Sequence, residues 1–556
     1  MKNIFLLLSI CCLFFSNAQV SVTVGPYLQS PTSTSMKIMW RTDSATASKV
    51  MVGTALNSLG ILAEDTAVVT NHMVNVTGLQ PYTKYFYAVY DGGTLLSGND
   101  SEHWFRTFPT AGSDVSTRVW AIGDFGKGNS EQRRVRDAYI NYDTVGTDFF
   151  IWLGDNAYAD GTEAEYLNKV FDSINGYAKP MKHWPFLPSP GNHDYNSISP
   201  VTAPKPPLQH AGPYYDLIEV YRNAEAGGVS SGHELYYSFD YGNAHFISLN
   251  SELGSLFTAA DDWNGVSPLF SFNTSPQKQW LIQDLQANTK PWVIAYFHQP
   301  PYTDGSHDAG TWWEVYMKAM RKNYVPILEQ YGVDLVVCGH SHVYERSYLA
   351  KGAYGDVGDI TLFNILQNTS GNDAIGEAYL KYKQGTNPNQ GTVYVVCGNS
   401  ASKDDNPPFN HPYMYSEYGC DTCCGSFVID ITGNKLVGRH IDMTGVTRDE
   451  FTMYKIDGAA STDEFGPNSP FVSLSVTPNP FSQNINVDFE LKKQGEVTIE
   501  LSDISGKLYQ VFRAKLNTGS NTVSVDASKY NLAKGSYMVT LRSGEMKLSR
   551  TIIKTE

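Results

Sequence analysis

Residues 149–158 read Phe-Phe-Ile-Trp-Leu-Gly-Asp-Asn-Ala-Tyr, five apolar positions in an unbroken run followed by Gly154-Asp155. A strand with one wetted face alternates apolar and polar residues, so a run without alternation implies a strand buried on both faces. The pattern recurs at residues 119–122, 292–297 and 335–338. Between these runs, Val135, Ala138, Tyr139 and Tyr142 fall at helical spacing, and residues 276–287 carry Trp280, Leu281 and Leu285 on one side. The fold class is therefore α/β, a layered β-sandwich core flanked by helices over residues 115–456, preceded and followed by small all-β sandwich domains.

Those flanks differ in grammar. Residues 20–109 are short alternating runs, such as Met36-Lys37-Ile38-Met39-Trp40, divided by Gly, Pro, Asn and Asp turns. The corner Gly78-Leu79-Gln80-Pro81-Tyr82 followed by Phe105-Arg106-Thr107-Phe108 resembles a fibronectin type III domain. After a polar linker at 457–470, residues 471–556 alternate again, as in Ile485-Asn486-Val487-Asp488-Phe489. There, Thr477-Pro478-Asn479-Pro480-Phe481, Leu501-Ser502-Asp503-Ile504-Ser505-Gly506-Lys507 and Lys534-Gly535-Ser536-Tyr537 resemble the C-terminal sorting domain of cargo exported by the type IX system of Bacteroidetes.

Composition narrows the function. A length of 556 residues allows three or four domains. Hydrophobic residues at 42% and charged residues at 17% suit a globular chain and not a disordered one. A net charge of −15 offers no basic field for a nucleic-acid duplex or an anionic membrane. Residues 1–18 carry Lys2, an apolar run from Ile4 to Phe15 and a small-residue end at Ala18, the three regions of a secretory signal peptide, here too short to span a bilayer. The expectation is a protein exported through the periplasm to the cell surface or beyond, with no transmembrane segment. In that oxidising setting Cys420, Cys423 and Cys424 read as a disulfide cluster more readily than a metal site. Cys338 reads as a small buried residue, and His183, His210, His233, His245, His411 and His440 as structural.

Five blocks punctuate the core: Gly123-Asp124-Phe125-Gly126, Gly154-Asp155-Asn156-Ala157-Tyr158, Gly191-Asn192-His193-Asp194, His298, and Gly339-His340-Ser341-His342. Four begin where an apolar strand ends, and ligand sites in open α/β sheets lie beyond the carboxyl ends of strands. Alone, each block reads as a turn or a solvated loop. Together they offer two Asp, one Asn, one Tyr and three His, all with oxygen or nitrogen donors for a metal.

The ordered set resembles the five-block signature of purple acid phosphatases, within the calcineurin-like metallophosphoesterases, and Tyr237-Ser238-Phe239-Asp240-Tyr241-Gly242 and His342-Val343-Tyr344-Glu345-Arg346 extend it. Ala295 and Asp194 depart from the residues usual at their places without removing a ligand. The resemblance implies that Asp124, Tyr158 and His342 hold one metal, that Asn192, His298 and His340 hold a second, and that Asp155 bridges them. A phenolate is a hard donor suited to Fe(III), and an amide with two imidazoles suits a divalent ion such as Zn, Fe or Mn. The implied activity is an acid phosphatase hydrolysing phosphate monoesters by attack of a metal-activated hydroxide, with phosphodiesterase or nucleotide hydrolase chemistry as the alternative. His193 is the first choice for a proton donor and phosphate contact and His307 the second, with Asp194 orienting His193 or standing as an exposed loop carboxylate. The implied partners are a small phosphoester substrate and the type IX secretion machinery. A surface binding protein built on a degenerate scaffold is the contrasting class, and it requires missing ligands.

Overall fold

The computed structural model describes residues 19–195, 212–252, 275–357, 360, 364–382, 390–402, 411–418, 424–456, 470–503, 507–544 and 546–555. The expected signal peptide, the linker at 457–469, His210 and Cys420 and Cys423 lie outside them. Among the described residues no helix is long and apolar enough to cross a membrane.

Two seven-stranded sheets form the core. The first runs in the spatial order Tyr237–Tyr241, Ala244–Ser248, Trp292–Phe297, Leu335–Cys338, Val393–Cys397, Tyr344–Ser347, Met414–Tyr418. The second runs Tyr379–Tyr382, Thr447–Ile456, Lys435–Asp442, Gly425–Thr432, Thr117–Ile122, Phe149–Leu153, Phe186–Ser189. Val119, Phe149 and Ile151 of one sheet share a buried cluster with Phe246, Ile294 and Val337 of the other. Outside the first sheet, Leu281, Leu285 and Leu328 of the helices Pro276–Ala287 and Val325–Gln330 cover Ile247, Val293 and Val336. Outside the second, Tyr139 of the helix Ser130–Tyr142 stacks on Trp120 with ring centroids 4.3 Å apart. Strands sandwiched between a second sheet and helices have no wet face, which accounts for their unbroken apolar runs.

In the first sheet the four strands from Ala244–Ser248 to Val393–Cys397 are parallel. In the second the three at one end, Thr117–Ile122, Phe149–Leu153 and Phe186–Ser189, are parallel, while the central strand Gly425–Thr432 is antiparallel to both neighbours. The carboxyl ends of the parallel strands therefore emerge along one edge of the sandwich, and the loops beyond them are stitched side to side. Asp124 N–H donates to the Gly154 carbonyl (3.1 Å), Gly339 N–H to the His298 carbonyl (3.1 Å), and Ser400 N–H to the Gly123 carbonyl (3.1 Å). The third block also comes after a strand, Phe186–Ser189, which the sequence grammar did not expose. Pro185, Pro188 and Pro190 break its apolar run, and it is tolerated because it is the edge strand, where a missing N–H costs no ladder bond.

Residues Val22–Gln29 through Trp104–Arg106 form a six-stranded sheet with its own core around Trp40 and Tyr87. It is bonded to the central sandwich through Tyr27 Oη to the Leu217 carbonyl (2.8 Å), Tyr87 Oη to the Lys182 carbonyl (2.9 Å) and the Lys37–Glu219 ion pair (2.6 Å). Trp104 stacks on His183 across the same boundary, with centroids 5.4 Å apart. The C-terminal residues form a three-stranded and a four-stranded sheet around Phe471, Ile499 and Ile552.

Candidate metal centre

Three of the seven expected ligands, Asp124 (φ 56°), Asp155 (φ 51°) and His340 (φ 69°), sit in left-handed backbone geometry immediately after a strand-terminal glycine. That region costs a non-glycine residue about 1–3 kcal/mol, and it aims each side chain back over the strand ends. The neighbouring glycines make room for other ligands. A Cβ on Gly154 would stand 2.5 Å from His298 Nδ1, and one on Gly191 would stand 2.2 Å from the Asp155 backbone nitrogen. These glycines are required by ligand-to-ligand packing, a tighter constraint than backbone approach to an ion.

All seven side chains converge. Tyr158 Oη lies 2.9 Å from Asp124 Oδ1, 3.0 Å from Asp155 Oδ2 and 3.3 Å from His342 Nε2. His298 Nε2 lies 3.2 Å from Asn192 Oδ1, 3.2 Å from Asp155 Oδ1 and 3.1 Å from His340 Nδ1. Asp155 thus presents one oxygen to each of two groups, Asp124, Tyr158 and His342 on one side and Asn192, His298 and His340 on the other. Asp124 and His298 are wholly buried, and Asp155 is 2% exposed.

The donor set fits cations. His298 Nδ1 lies 2.8 Å from the Leu153 carbonyl, which only accepts, so the proton sits on Nδ1 and Nε2 presents a lone pair in the neutral ring. That lone pair faces two further acceptors, Asp155 Oδ1 and Asn192 Oδ1. Nε2 of His340 is buried with no hydrogen-bond partner among the described residues. Three acceptors meeting in a buried pocket demand either a proton or a metal ion between them.

The side chains themselves set the charge each brings to the pocket. Burial opposes charge on His298, but the carboxylates of Asp155 and Asp124 outweigh it and lift the imidazolium to about 10. Burial likewise opposes charge on Asp155, and His298 overrides it, holding the carboxyl well below its ordinary range. Asp124 is pushed well up by burial and by the neighbouring Asp155 charge. Burial, then Asp124 and Asp155, push the Tyr158 phenol far above its ordinary value, so a phenolate there needs a strong adjacent positive charge. Burial lowers His340 to about 4 and His342 to about 3, keeping both imidazoles in the neutral form that ligates metal.

Two of the three other expected residues stand at the mouth. The His193 ring is half-buried, bonded through Nδ1 to the Ala159 carbonyl, with Nε2 3.7 Å from Asp155 Oδ2. The His307 ring lies 4.0 Å from that of His340 and is bonded through Nδ1 to Glu314 Oε1 (2.8 Å). Asp194 is elsewhere. It is fully buried behind the pocket, accepting from Gly191 N–H (2.7 Å), Asn156 Nδ2 (2.9 Å) and the Tyr166 hydroxyl, which makes it neither an exposed loop carboxylate nor a side-chain partner of His193.

Glu314 was not singled out from the sequence. It joins His307 to His340, with Oε2 3.7 Å from His340 Nε2, and the three form a second group able to hold a cation. Burial opposes its charge, but the hydrogen bond from His307 and the nearby His340 ring hold it down to about 2. Lys127, 4.8 Å above the Tyr158 ring, and Gly398, where a Cβ would approach Asp124 Oδ2 to 2.9 Å, were missed too. Gly398 carried the same signal as the other blocks, a Gly after the apolar run 393–397. Cys424 is buried and its thiol donates to the Ser402 carbonyl.

Comparison with known proteins places this geometry. Residues 117–344, which carry every one of these ligands, match the calcineurin-like phosphoesterase model. This is a calcineurin-like phosphoesterase domain. Ahead of it, residues 22–107 match the purple acid phosphatase N-terminal domain, and residues 475–555 match the secretion system C-terminal sorting domain. Among curated relatives, an uncharacterised Mycobacterium tuberculosis protein is 28% identical over 58% of this chain and 61% of its own. A purple acid phosphatase of Glycine max is 28% identical over 50% and 52%, and a phosphoenolpyruvate phosphatase of Allium cepa 27% identical over 60% and 63%. The chain thus spans between half and two thirds of these relatives. The solved structure of purple acid phosphatase PPD1 from yellow lupin shares the phosphoesterase fold with a TM-score of 0.56 at 18% identity, covering 81% of this chain and 77% of that one. The solved structure of PhoD aligns with a TM-score of 0.54 at 16% identity, covering 79% and 93%.

Proposed function

We propose that the protein is an exported phosphatase that hydrolyses phosphate monoesters at a dinuclear metal centre. The observation that carries this reading is the division of donors on either side of Asp155. In it, Asp124, Tyr158 and His342 hold a trivalent iron, Asn192, His298 and His340 hold a divalent ion, Zn, Fe or Mn, and Asp155 spans both. Such a pair supplies Lewis acidity that lowers the pKa of water and shares the charge of the attacked phosphoryl group.

The protein's own groups do the rest. Asp155, fixed by the His193 N–H at 2.8 Å, keeps the two donor groups in register. Asp124, fixed by the His340 N–H at 2.8 Å, does the same for the iron side. The imidazoles of His193 and His307 stand at the mouth, where they bind phosphoryl oxygens and deliver a proton to the departing alkoxide. The sorting-domain match at residues 475–555 supports export by the type IX machinery, after removal of the leader at residues 1–18.

Metal analysis with a visible spectrum tests the centre. The expected result is one iron and one divalent ion per chain, with a phenolate-to-iron band that disappears in Tyr158→Phe. An active, colourless, iron-free enzyme overturns the iron assignment. Paired monoester and diester substrates test the reaction, and a diester preference overturns the monoesterase reading.

A further inference from the structure

Residues 304–314 form a loop at the rim of the metal centre, and its base is pinned throughout. Asp304 N–H donates to Glu345 Oε1 (2.9 Å), and Ser306 Oγ accepts from His342 N–H (3.1 Å). The Ala309 carbonyl accepts from Arg321 (3.1 Å), and Glu314 closes the loop onto His307. On this fixed base stand two tryptophans, Trp312 at 78% and Trp313 at 59% exposure, their rings 5.7 Å apart and nearly perpendicular. They are the only exposed tryptophans among the described residues.

Two indoles left in water forgo one of the largest hydrophobic gains available to a side chain. They expose at most about 500 Å² together, short of the roughly 800 Å² that each partner buries in a stable protein interface. Their place in the chain is specific. Trp313 directly precedes Glu314, whose carboxylate bonds His307 and lies 3.7 Å from His340. The protein also carries a net charge of −15, so an anionic substrate approaches against the overall field. Stacking of rings supplies attraction that this field does not oppose.

We infer that Trp312 and Trp313 form a platform on which a flat aromatic ring in the alcohol portion of a phosphate monoester stacks while its phosphoryl group lies at the metal centre. This deepens the monoesterase reading and rests on it. The ring belongs to a nucleoside or to a simple aryl group, and the same chemistry holds both.

Adenosine 5′-monophosphate and ribose 5-phosphate release the same primary alkoxide and differ only in the base, so their kcat/KM ratio on the metal-loaded full chain isolates the stacking contribution. A stacked base is worth roughly tenfold or more. The expected wild-type ratio is at least about tenfold, falling toward one in Trp312→Ala/Trp313→Ala and largely retained in Trp312→Phe. Phenyl phosphate forms the second arm. A double-variant loss confined to it assigns the aryl source, and a loss confined to the nucleotide assigns the nucleoside. Tryptophan fluorescence quenched by adenosine 5′-monophosphate, not by ribose 5-phosphate, and lost in the double variant is the expected binding readout. The platform is overturned if the double variant moves neither aromatic substrate by more than about twofold and leaves the quenching intact. A wild-type protein that hydrolyses no monoester fails the underlying reading instead, and the quenching arm still decides the platform.

Discussion

Gly339 and Asp124 are packed so tightly that a Cβ on the glycine would stand 2.6 Å from Asp124 Oδ2. The same Cβ would meet the Leu153 carbonyl oxygen at 2.6 Å and His298 Nδ1 at 3.1 Å. Two of these neighbours are proposed metal ligands and the third is the carbonyl that fixes the His298 proton, so no single side chain can swing aside.

Gly339→Ala therefore disturbs both halves of the centre. We expect a stability loss of about 1–3 kcal/mol, typical of overpacking in a dense core. Activity should fall by at least about a hundredfold, since an error near 1 Å in a catalytic group already costs that much. Metal content per chain and the thermal midpoint of the same sample check this, and a fully active, fully loaded variant would refute the packing argument.

Asp155 faces both donor groups, whereas Asp124 faces one. Asp155→Asn should thus weaken both metals, and Asp124→Asn mainly the iron. Chelation of the wild type should lower stability by about 4 kcal/mol for each site that had been held at a thousand times its dissociation constant. The ordering is measured by unfolding each protein with and without chelator. Equal loss of both metals in the two variants would contradict the bridging geometry.

The convergence of the proposed ligands was legible because unbroken apolar runs mark strands buried on both faces, and parallel strands deliver the loops at their carboxyl ends to one edge. That logic located Asp124, Asp155, His298 and His340 directly. It missed the strand before Asn192 because Pro185, Pro188 and Pro190 erased the run, a pattern only an edge strand tolerates. Glu314 left no trace because its role depends on a loop folding back from His307 to His340, a contact with no periodicity. Asp194 was misplaced for a related reason: its partners are mainly the Gly191 and Asn156 backbone amides and the Tyr166 hydroxyl, and such bonds have no signature in residue types.

His245, read as structural, is buried between Asp240 and Asp284 with both ring nitrogens 2.8 Å from a carboxylate. Burial opposes its charge, but the hydrogen bonds to the two carboxylates outweigh it and raise the imidazolium to about 9. A folded value above the unfolded one means that the stabilisation is complete below about pH 6.5 and is lost as pH rises through about 9. The window corresponds to a contribution on the order of 3 kcal/mol. Unfolding midpoints taken across that range should fall with pH in the wild type, and His245→Gln should be weaker at low pH with a flatter profile. An unchanged slope in the variant would assign the pH dependence to other groups.

Asp194 distinguishes an orienting role from a chemical one. Its buried carboxylate holds the Gly191 and Asn156 amides that carry the backbone between Asp155 and Asn192, and burial together with the Asp155 charge raises it to about 6. A residue that positions ligands acts on metal affinity, and loss of such support typically costs 10–100-fold. Asp194→Asn keeps the size and one acceptor oxygen but loses the charge that the amides and the Tyr166 hydroxyl face. We expect metal affinity to fall within that range while the pH–rate profile at saturating metal keeps its shape. If Asp194 were the acid or base that serves His193, one limb of the profile would shift even with the centre fully loaded, and metal affinity would stay near the wild-type value.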